Sequence, residues 1–314
     1  MSTVTQTIVK TEELGFSTAL RNGVDWSEYM LYRPIYGKSF FRRIYDYHAQ
    51  KSGASWSKAH DVGAGHGIVS STLASAFEHV VVSDPNDGYT EVARQLLVEK
   101  CEWPESKFSF LQEPAESSSV EARSVDLIIA CECIQYTNTT EAVAEFARQL
   151  KPGGTLVMTL YVQPSIVNNE RAQSIWEKIF DAFWERAVTG SRVLERALGV
   201  ISSACDSIAI PAEHWEATKR VYINASQWIP SFQIGDKVGE DRAGNNEERV
   251  WVHGDPEWED EQGIDWFKGY VSTWAPRLPE SEVQDLWDEL ERVMDGARVR
   301  TETPIVMIFA TRRA

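Results

Sequence analysis

The residues Asp61-Val62-Gly63-Ala64-Gly65-His66-Gly67 carry the clearest chemical signal in the chain. Three glycines at alternate positions let a backbone turn sharply, because glycine takes positive φ without steric cost and puts no Cβ in the way of a ligand. Their spacing separates two classes of ligand. A turn built for a dinucleotide pyrophosphate needs glycine at its first, third and sixth places. Here the fifth place is Gly67 and the sixth is Ile68. Asp61, two residues ahead of the first glycine, opposes a pyrophosphate and suits a cationic amino group. The pattern favours a cofactor that carries an amino acid.

Such a turn needs a strand that ends in it and a helix that leaves it. Lys58–Asp61 leads in, and Ile68–Phe77 reads as the helix. The continuous apolar run His79–Ser83 reads as a strand buried on both faces. Thr90–Lys100 is expected to be a helix, Phe108–Leu111 and Val125–Ala130 strands, Thr140–Leu150 a helix and Thr155–Tyr161 a further strand. Strand–helix alternation over this length predicts an α/β fold, a Rossmann-like doubly wound and mostly parallel sheet.

After Pro164 the pattern changes. Helices are expected at Glu170–Ala187, Arg192–Ser203, Ile264–Trp274 and Glu280–Met294, with a strand at Lys219–Asn224. The polar stretch Gln233–Gly263 reads as a solvated excursion. Pro304–Thr311 reads as a strand that returns, antiparallel, to the sheet. The expected organisation is a mobile lead over 1–26 and a cofactor-binding core with N-terminal lid helices over 27–163. A helical cap shaping the substrate region follows over 164–303, with one core strand near 219–224, and 304–314 is a C-terminal core strand. Nine of the twelve tryptophans, Trp176 to Trp287, fall in the cap, so at least two are expected to line an aromatic pocket.

The whole chain narrows the function classes. It has 314 residues, 43% of them hydrophobic, enough for a sizeable core. The net charge of -16, with no concentrated basic stripe, argues against nucleic acid and anionic membrane surfaces as partners. Cys101, Cys131, Cys133 and Cys205 form neither a disulfide framework nor a zinc-ligand pattern, so they read as buried thiols and no metal is expected. The first residues lack the apolar run of a signal peptide, and no segment approaches a membrane span. A cytoplasmic location is expected, with a small molecule as partner. Nothing in the sequence fixes an oligomeric state.

With the turn and its flanking elements in place, the chain resembles the class I S-adenosylmethionine-dependent methyltransferases, whose first motif runs acid-x-Gly-x-Gly-x-Gly. Asp84 closes the second strand, Pro114-Ala115-Glu116 follows the third, and Leu150–Thr155 matches the turn before the fifth. More narrowly, it resembles the trans-aconitate methyltransferase type. Tyr32-Arg33-Pro34-x-Tyr36, the segment VDLIIACECIQY over 125–136, and Gly269–Trp274 carry that likeness. Gln135 and Tyr136 stand where that type often has His and Trp, so neither its substrate nor a catalytic histidine is carried over.

The resemblance implies S-adenosylmethionine as cofactor. Gly63, Ala64, Gly65 and Gly67 would frame it and Asp61 would hold its ammonium. Asp84, assisted by Asn86, would take the ribose. Ala115 and Glu116 would lie by the adenine, and Cys131 on the loop over the methionyl moiety. Arg33 would pair with the methionyl carboxylate, with Tyr32 beside it. Methyl transfer from a sulfonium is an in-line displacement in which positioning and exclusion of water supply most of the rate. A carboxylate or ionised phenol needs no base, whereas a neutral hydroxyl does. No residue is assigned as catalyst; Gln135, Tyr136 and His66 are the candidates, with His214 and His253 as further histidines. The expected activity is methyl transfer to a small molecule, at oxygen. The alternatives are a cyclase or isomerase that uses the same cofactor, a nicotinamide-dependent reductase, and a non-catalytic binding protein.

Overall fold

The computed structural model describes residues 31–51, 53–86, 88–189, 191–225, 232 and 240–314. The expected N-terminal lead and the start of the polar excursion lie outside them. The first complete helix among the described residues is α1, Lys38–Ala49, followed by strand β1 (Lys58–Val62), α2 (Ile68–Ala76) and β2 (His79–Ser83). Helix α3, Tyr89–Arg94, continues as a π-helical turn over Gln95–Lys100 before β3 (Phe108–Leu111). Then come β4 (Val125–Cys131), α4 (Thr139–Gln149) and β5 (Leu150–Tyr161).

The main sheet has the order β3-β2-β1-β4-β5-β11-β7-β8, where β7 is Trp215–Ile223, β8 Glu248–Val252 and β11 Ile305–Arg312. The pairs β2–β3, β1–β2, β1–β4, β4–β5 and β7–β8 are parallel. Only β11 is reversed; it lies antiparallel between β5 and β7, as expected for the returning C-terminal strand. From β1 the chain winds outward to β2 and β3, then crosses back to β4 and β5. The crevice at the carboxyl ends of β1 and β4 is therefore the switch point where α/β sheets hold ligands.

Both faces of the sheet are covered. Along β4 the side chains alternate: Ile128 and Ala130 join the core beneath the cap, while Leu127, Ile129 and Cys131 join the core beneath α1 and α2. The cap consists of α5 (Glu170–Val188), α6 (Arg192–Ser202), α7 (Ile264–Ser272) and α8 (Gln284–Met294). Asn169 and Ser191 cap α5 and α6, accepting from the backbone N–H of Ala172 at 3.0 Å and of Leu194 at 3.3 Å.

Two expectations are corrected here. The polar stretch read as an excursion contains β8, which pairs with β7, and β9 (Glu259–Gln262). With β6 (Ser165–Ile166) and β10 (Val299–Glu302), β9 forms a small second sheet of order β6-β10-β9. Trp176, Trp274 and Trp287 of the cap, moreover, pack on one another. Trp176 meets the rings of Phe267, Trp274 and Trp287 at centroid distances of 4.9, 5.9 and 6.3 Å. They form the cap's interior, and no tryptophan among the described residues lines the cavity described next.

Candidate functional site

The glycine turn closes β1 in a conformation that glycine makes inexpensive. Gly63, Gly65 and Gly67 have φ of 63°, 56° and 85°. The acid ahead of the turn is buried, and its Oδ2 accepts from Ser70 Oγ at 2.5 Å, one helical turn into α2. The acid at the end of β2 is tied to the same turn. Asp84 Oδ2 accepts from the Gly65 N–H at 3.0 Å, while its Oδ1 accepts from Asn86 N and Nδ2 at 2.8 and 2.7 Å. Two carboxylates on neighbouring strand ends are thus fixed on either side of one backbone bend.

Burial governs how these acids titrate. It pushes Asp61 up to about 7, against the Ser70 hydrogen bonds and helped by the nearby charge of Asp84. It also raises Asp84, against the donors on Asn86 and Gly65. His66, half-buried in the turn, is driven down to about 4 by desolvation and is neutral at physiological pH.

A cavity of about 500 Å³ opens on the turn. Its wall includes Asp61, Gly63, Ala64, Gly65 and His66 from the first turn, and Asp84 and Asn86 from the second. Ala115 and Glu116 enter after β3, Cys131 and Tyr136 after β4, and Arg33 from the segment before α1. Most of the residues expected at the site are therefore brought together.

Three are not. Gly67 is buried behind the turn: a Cβ there would come within 3.1 Å of Ala93 Cβ and 3.2 Å of Leu97 Cδ1, so its role is to let α2 approach α3. The ring of Tyr32 lies against Gly269 of α7, where any Cβ would collide with it. Gln135 is buried within a short 3-10 turn, Ile134–Tyr136, and does not reach the cavity wall. His214 and His253 are exposed and remote from the wall.

Other wall residues are given no role in the site by the sequence: Tyr36, Glu132, Cys133, Tyr161 and Thr273. Tyr36 and Tyr161 meet edge to face at 6.3 Å. Glu132 follows the last residue of β4 with φ of 54°, a left-handed conformation uncommon for a non-glycine residue. Its N–H donates to Thr159 O at 3.1 Å, and its Oε1 accepts from the Tyr161 N–H. Burial raises its carboxyl to about 8, against the Tyr161 donor and the charge of Arg33. The guanidinium of Arg33 lies 5.1 Å from the Tyr270 ring centroid, and Nη2 donates to Thr273 O at 3.2 Å. An acid directly after the apolar run Leu127–Cys131 was the available signal for Glu132.

The donor set matches a sulfonium nucleoside that carries an amino acid. Asn86 Oδ1 is buried without a hydrogen-bond partner beside Asp84, positioned for a ribose hydroxyl, and Asp61 presents a carboxylate for an ammonium.

Comparison with known proteins agrees. A family model described as a methyltransferase domain matches residues 60–158. Methyltransferase cfoB of Aspergillus candidus is 30% identical over 306 residues, spanning 91% of this chain and 94% of that protein. Methyltransferase ptaI of Pestalotiopsis fici is 30% identical over 332 residues, spanning 96% and 97%. A solved structure described as a type II methyltransferase from Anaeromyxobacter dehalogenans superposes with a TM-score of 0.55 at 19% identity, over 88% of this chain and 97% of that one. At that identity the likeness speaks to the fold.

Proposed function

The chain belongs to the class I S-adenosylmethionine-dependent methyltransferases, and from that premise we propose that it methylates an oxygen of a small molecule held at the β4–β5 end of the cavity. S-adenosylmethionine bound at the turn supplies a methyl carbon already activated for displacement. What the protein adds is position. Gly63 and Gly65 let the backbone approach, Asp61 faces the ammonium, and Asp84 with Asn86 accepts from the ribose hydroxyls. Ala115 and Glu116 flank the adenine, and Arg33 and Cys131 lie at the methionyl end.

One observation carries this reading: a single cavity continues from the two acids of the turn to the tyrosine-lined end beyond β4. A chamber of about 500 Å³ accommodates a nucleoside and a small acceptor in contact. The charge of -16 disfavours a polyanionic acceptor. The segments that carry the likeness to the trans-aconitate type support the same placement, since Arg33–Tyr36, 131–133, 136–137 and Thr273 all contribute to the wall. We read residues 27–163 as the cofactor-binding core, 164–303 as the cap that shapes the acceptor end, and the location as cytoplasmic.

Two measurements test the proposal. Incubation with S-adenosylmethionine and a mixture of organic acids and phenols should yield a product heavier by one methylene group, together with S-adenosylhomocysteine. Asp84→Ala should weaken S-adenosylmethionine and S-adenosylhomocysteine alike, by ~10- to 100-fold, the worth of hydrogen bonds to a charged group. Equal affinity of wild type and variant in calorimetry would remove Asp84 from the site.

A further inference from the structure

We propose that Glu132 is the residue that holds the acceptor: as a neutral carboxylic acid it donates a hydrogen bond to one oxygen of a carboxylate acceptor, whose second oxygen attacks the methyl carbon. This rests on the methyl-transfer reading above. The topology places Glu132 for the task. Most of the proposed cofactor contacts follow β1, β2 and β3, with Cys131 closing β4 at the methionyl end, and β4 stands between β1 and β5. Glu132 turns to the β5 side, where its Oε1 takes the N–H of Tyr161 and its own N–H meets Thr159 O. The left-handed backbone at Glu132 is what brings the side chain round to this position.

The hydrogen bonding defines which oxygen is available. Oε1 is occupied as an acceptor, whereas Oε2 has no hydrogen-bond partner among the described residues, on a side chain that lines the cavity. In the neutral acid Oε2 carries the proton and is the donor. The surroundings favour that form. Burial of the side chain in the cavity wall disfavours its charged form, and Arg33 is the cation acting against that. The thiols of Cys131, Cys133 and Cys205 act on the same region and are held neutral by burial. The phenols of Tyr36 and Tyr161 complete the wall there. Raised to about 8, the Glu132 carboxyl is mostly protonated at neutral pH.

A neutral donor suits an anionic acceptor and does little for a neutral hydroxyl, whose proton it cannot accept. A carboxylate also has two oxygens, so one can be held while the other reacts. As the C–O bond forms and the C–S bond breaks with its electron pair on sulfur, the carboxylate becomes a neutral ester and the sulfonium a neutral thioether. Glu132 keeps its proton throughout.

The test uses the full-length protein loaded with S-adenosylhomocysteine, titrated calorimetrically with benzoate, phenol and benzyl alcohol between pH 6 and pH 9. Benzoate should bind in preference to the two hydroxyl compounds, and its affinity should fall ~10-fold per pH unit above the Glu132 titration, as the neutral fraction falls. Glu132→Gln keeps the arrangement, with Oε1 accepting from Tyr161 and the amide donating. It should retain benzoate binding and lose the pH dependence. Glu132→Ala should lose ~10-fold or more in benzoate affinity while still binding S-adenosylhomocysteine, which excludes misfolding as the cause. Three results would overturn the proposal: no benzoate binding by the loaded wild type, preference for the hydroxyl compounds with affinity rising with pH, or benzoate binding unchanged in Glu132→Ala. Failure of the wild type to bind S-adenosylhomocysteine would instead strike the reading on which it rests.

Discussion

Burial leaves Asp61 about half protonated at neutral pH, and that turns cofactor binding into a proton-releasing event. An ammonium brought beside the carboxyl favours its charged form, so the pKa falls on binding and a proton leaves. Calorimetric enthalpies for S-adenosylmethionine or S-adenosylhomocysteine at pH 7 should therefore differ between buffers of different ionisation enthalpy. Asp61→Asn, which has no proton to release, should remove most of that difference and weaken binding. Buffer-independent enthalpies in the wild type would mean that Asp61 does not meet the ammonium. At this scale the site was legible wherever chemistry imposes spacing, as in Asp61, the glycines and Asp84. It was not legible where a single backbone torsion decides. Glu132, Gln135 and Tyr136 lie within five residues, and the left-handed φ of Glu132 with the 3-10 turn after it puts Glu132 and Tyr136 on the wall and Gln135 in the interior.

The elements explain why three glycines that look alike in the sequence do two different jobs. Gly63 and Gly65 line the cavity, and Gly63 also leaves room for Cys133, which a Cβ there would strike; Gly67 opens α2 in a left-handed conformation and lets it pack against α3 and the π-helical turn beyond it. Gly67→Ala meets both a positive φ and contacts at 3.1 and 3.2 Å, so it should destabilise the fold by about 1–2 kcal/mol and leave cofactor affinity little changed in whatever remains folded. Gly65→Val should remove cofactor binding, with a backbone cost of its own of about 1–2 kcal/mol because Gly65 also has positive φ. Denaturant unfolding and cofactor titration of both variants check the pair, and loss of affinity in Gly67→Ala without loss of stability would reverse the assignment. The strand–helix alternation through β5 was readable because both-face burial writes continuous apolar runs such as His79–Ser83. Strands β8 and β9 were not. In β8, Glu248 and Arg249 are exposed, and Val250 and Val252 pack on one core only. In β9, Glu-Asp-Glu-Gln is held through backbone pairing with β10, to which side-chain hydrophobicity is blind.

For the molecule as a whole, the cavity sets how stability depends on pH. Asp61, raised to about 7, and Glu132, raised to about 8, bind protons more tightly in the folded chain than in the unfolded one, and Asp84 shifts in the same direction. The folded state then carries more bound protons from the ordinary carboxylate range up to these values, so the free energy of unfolding falls as pH rises through that window. Two histidines act oppositely: His60 and His66, lowered to about 4, add stability as pH rises toward the ordinary histidine value and nothing more above it. Between about pH 6.5 and 8.5 the histidines no longer oppose the carboxyls, and Lys51, lowered to about 8 by burial, does so only toward the top of the interval. The melting temperature of the ligand-free protein should drop across this interval. S-adenosylmethionine should reduce the drop, because its ammonium makes a charged Asp61 favourable. Combining Asp61→Asn with Glu132→Gln should reduce it to what Asp84 contributes. A melting temperature that stays level or climbs between pH 6.5 and 8.5 in the wild type would mean that these acids are charged in the folded chain, and that water reaches the cavity far more freely than its walls suggest.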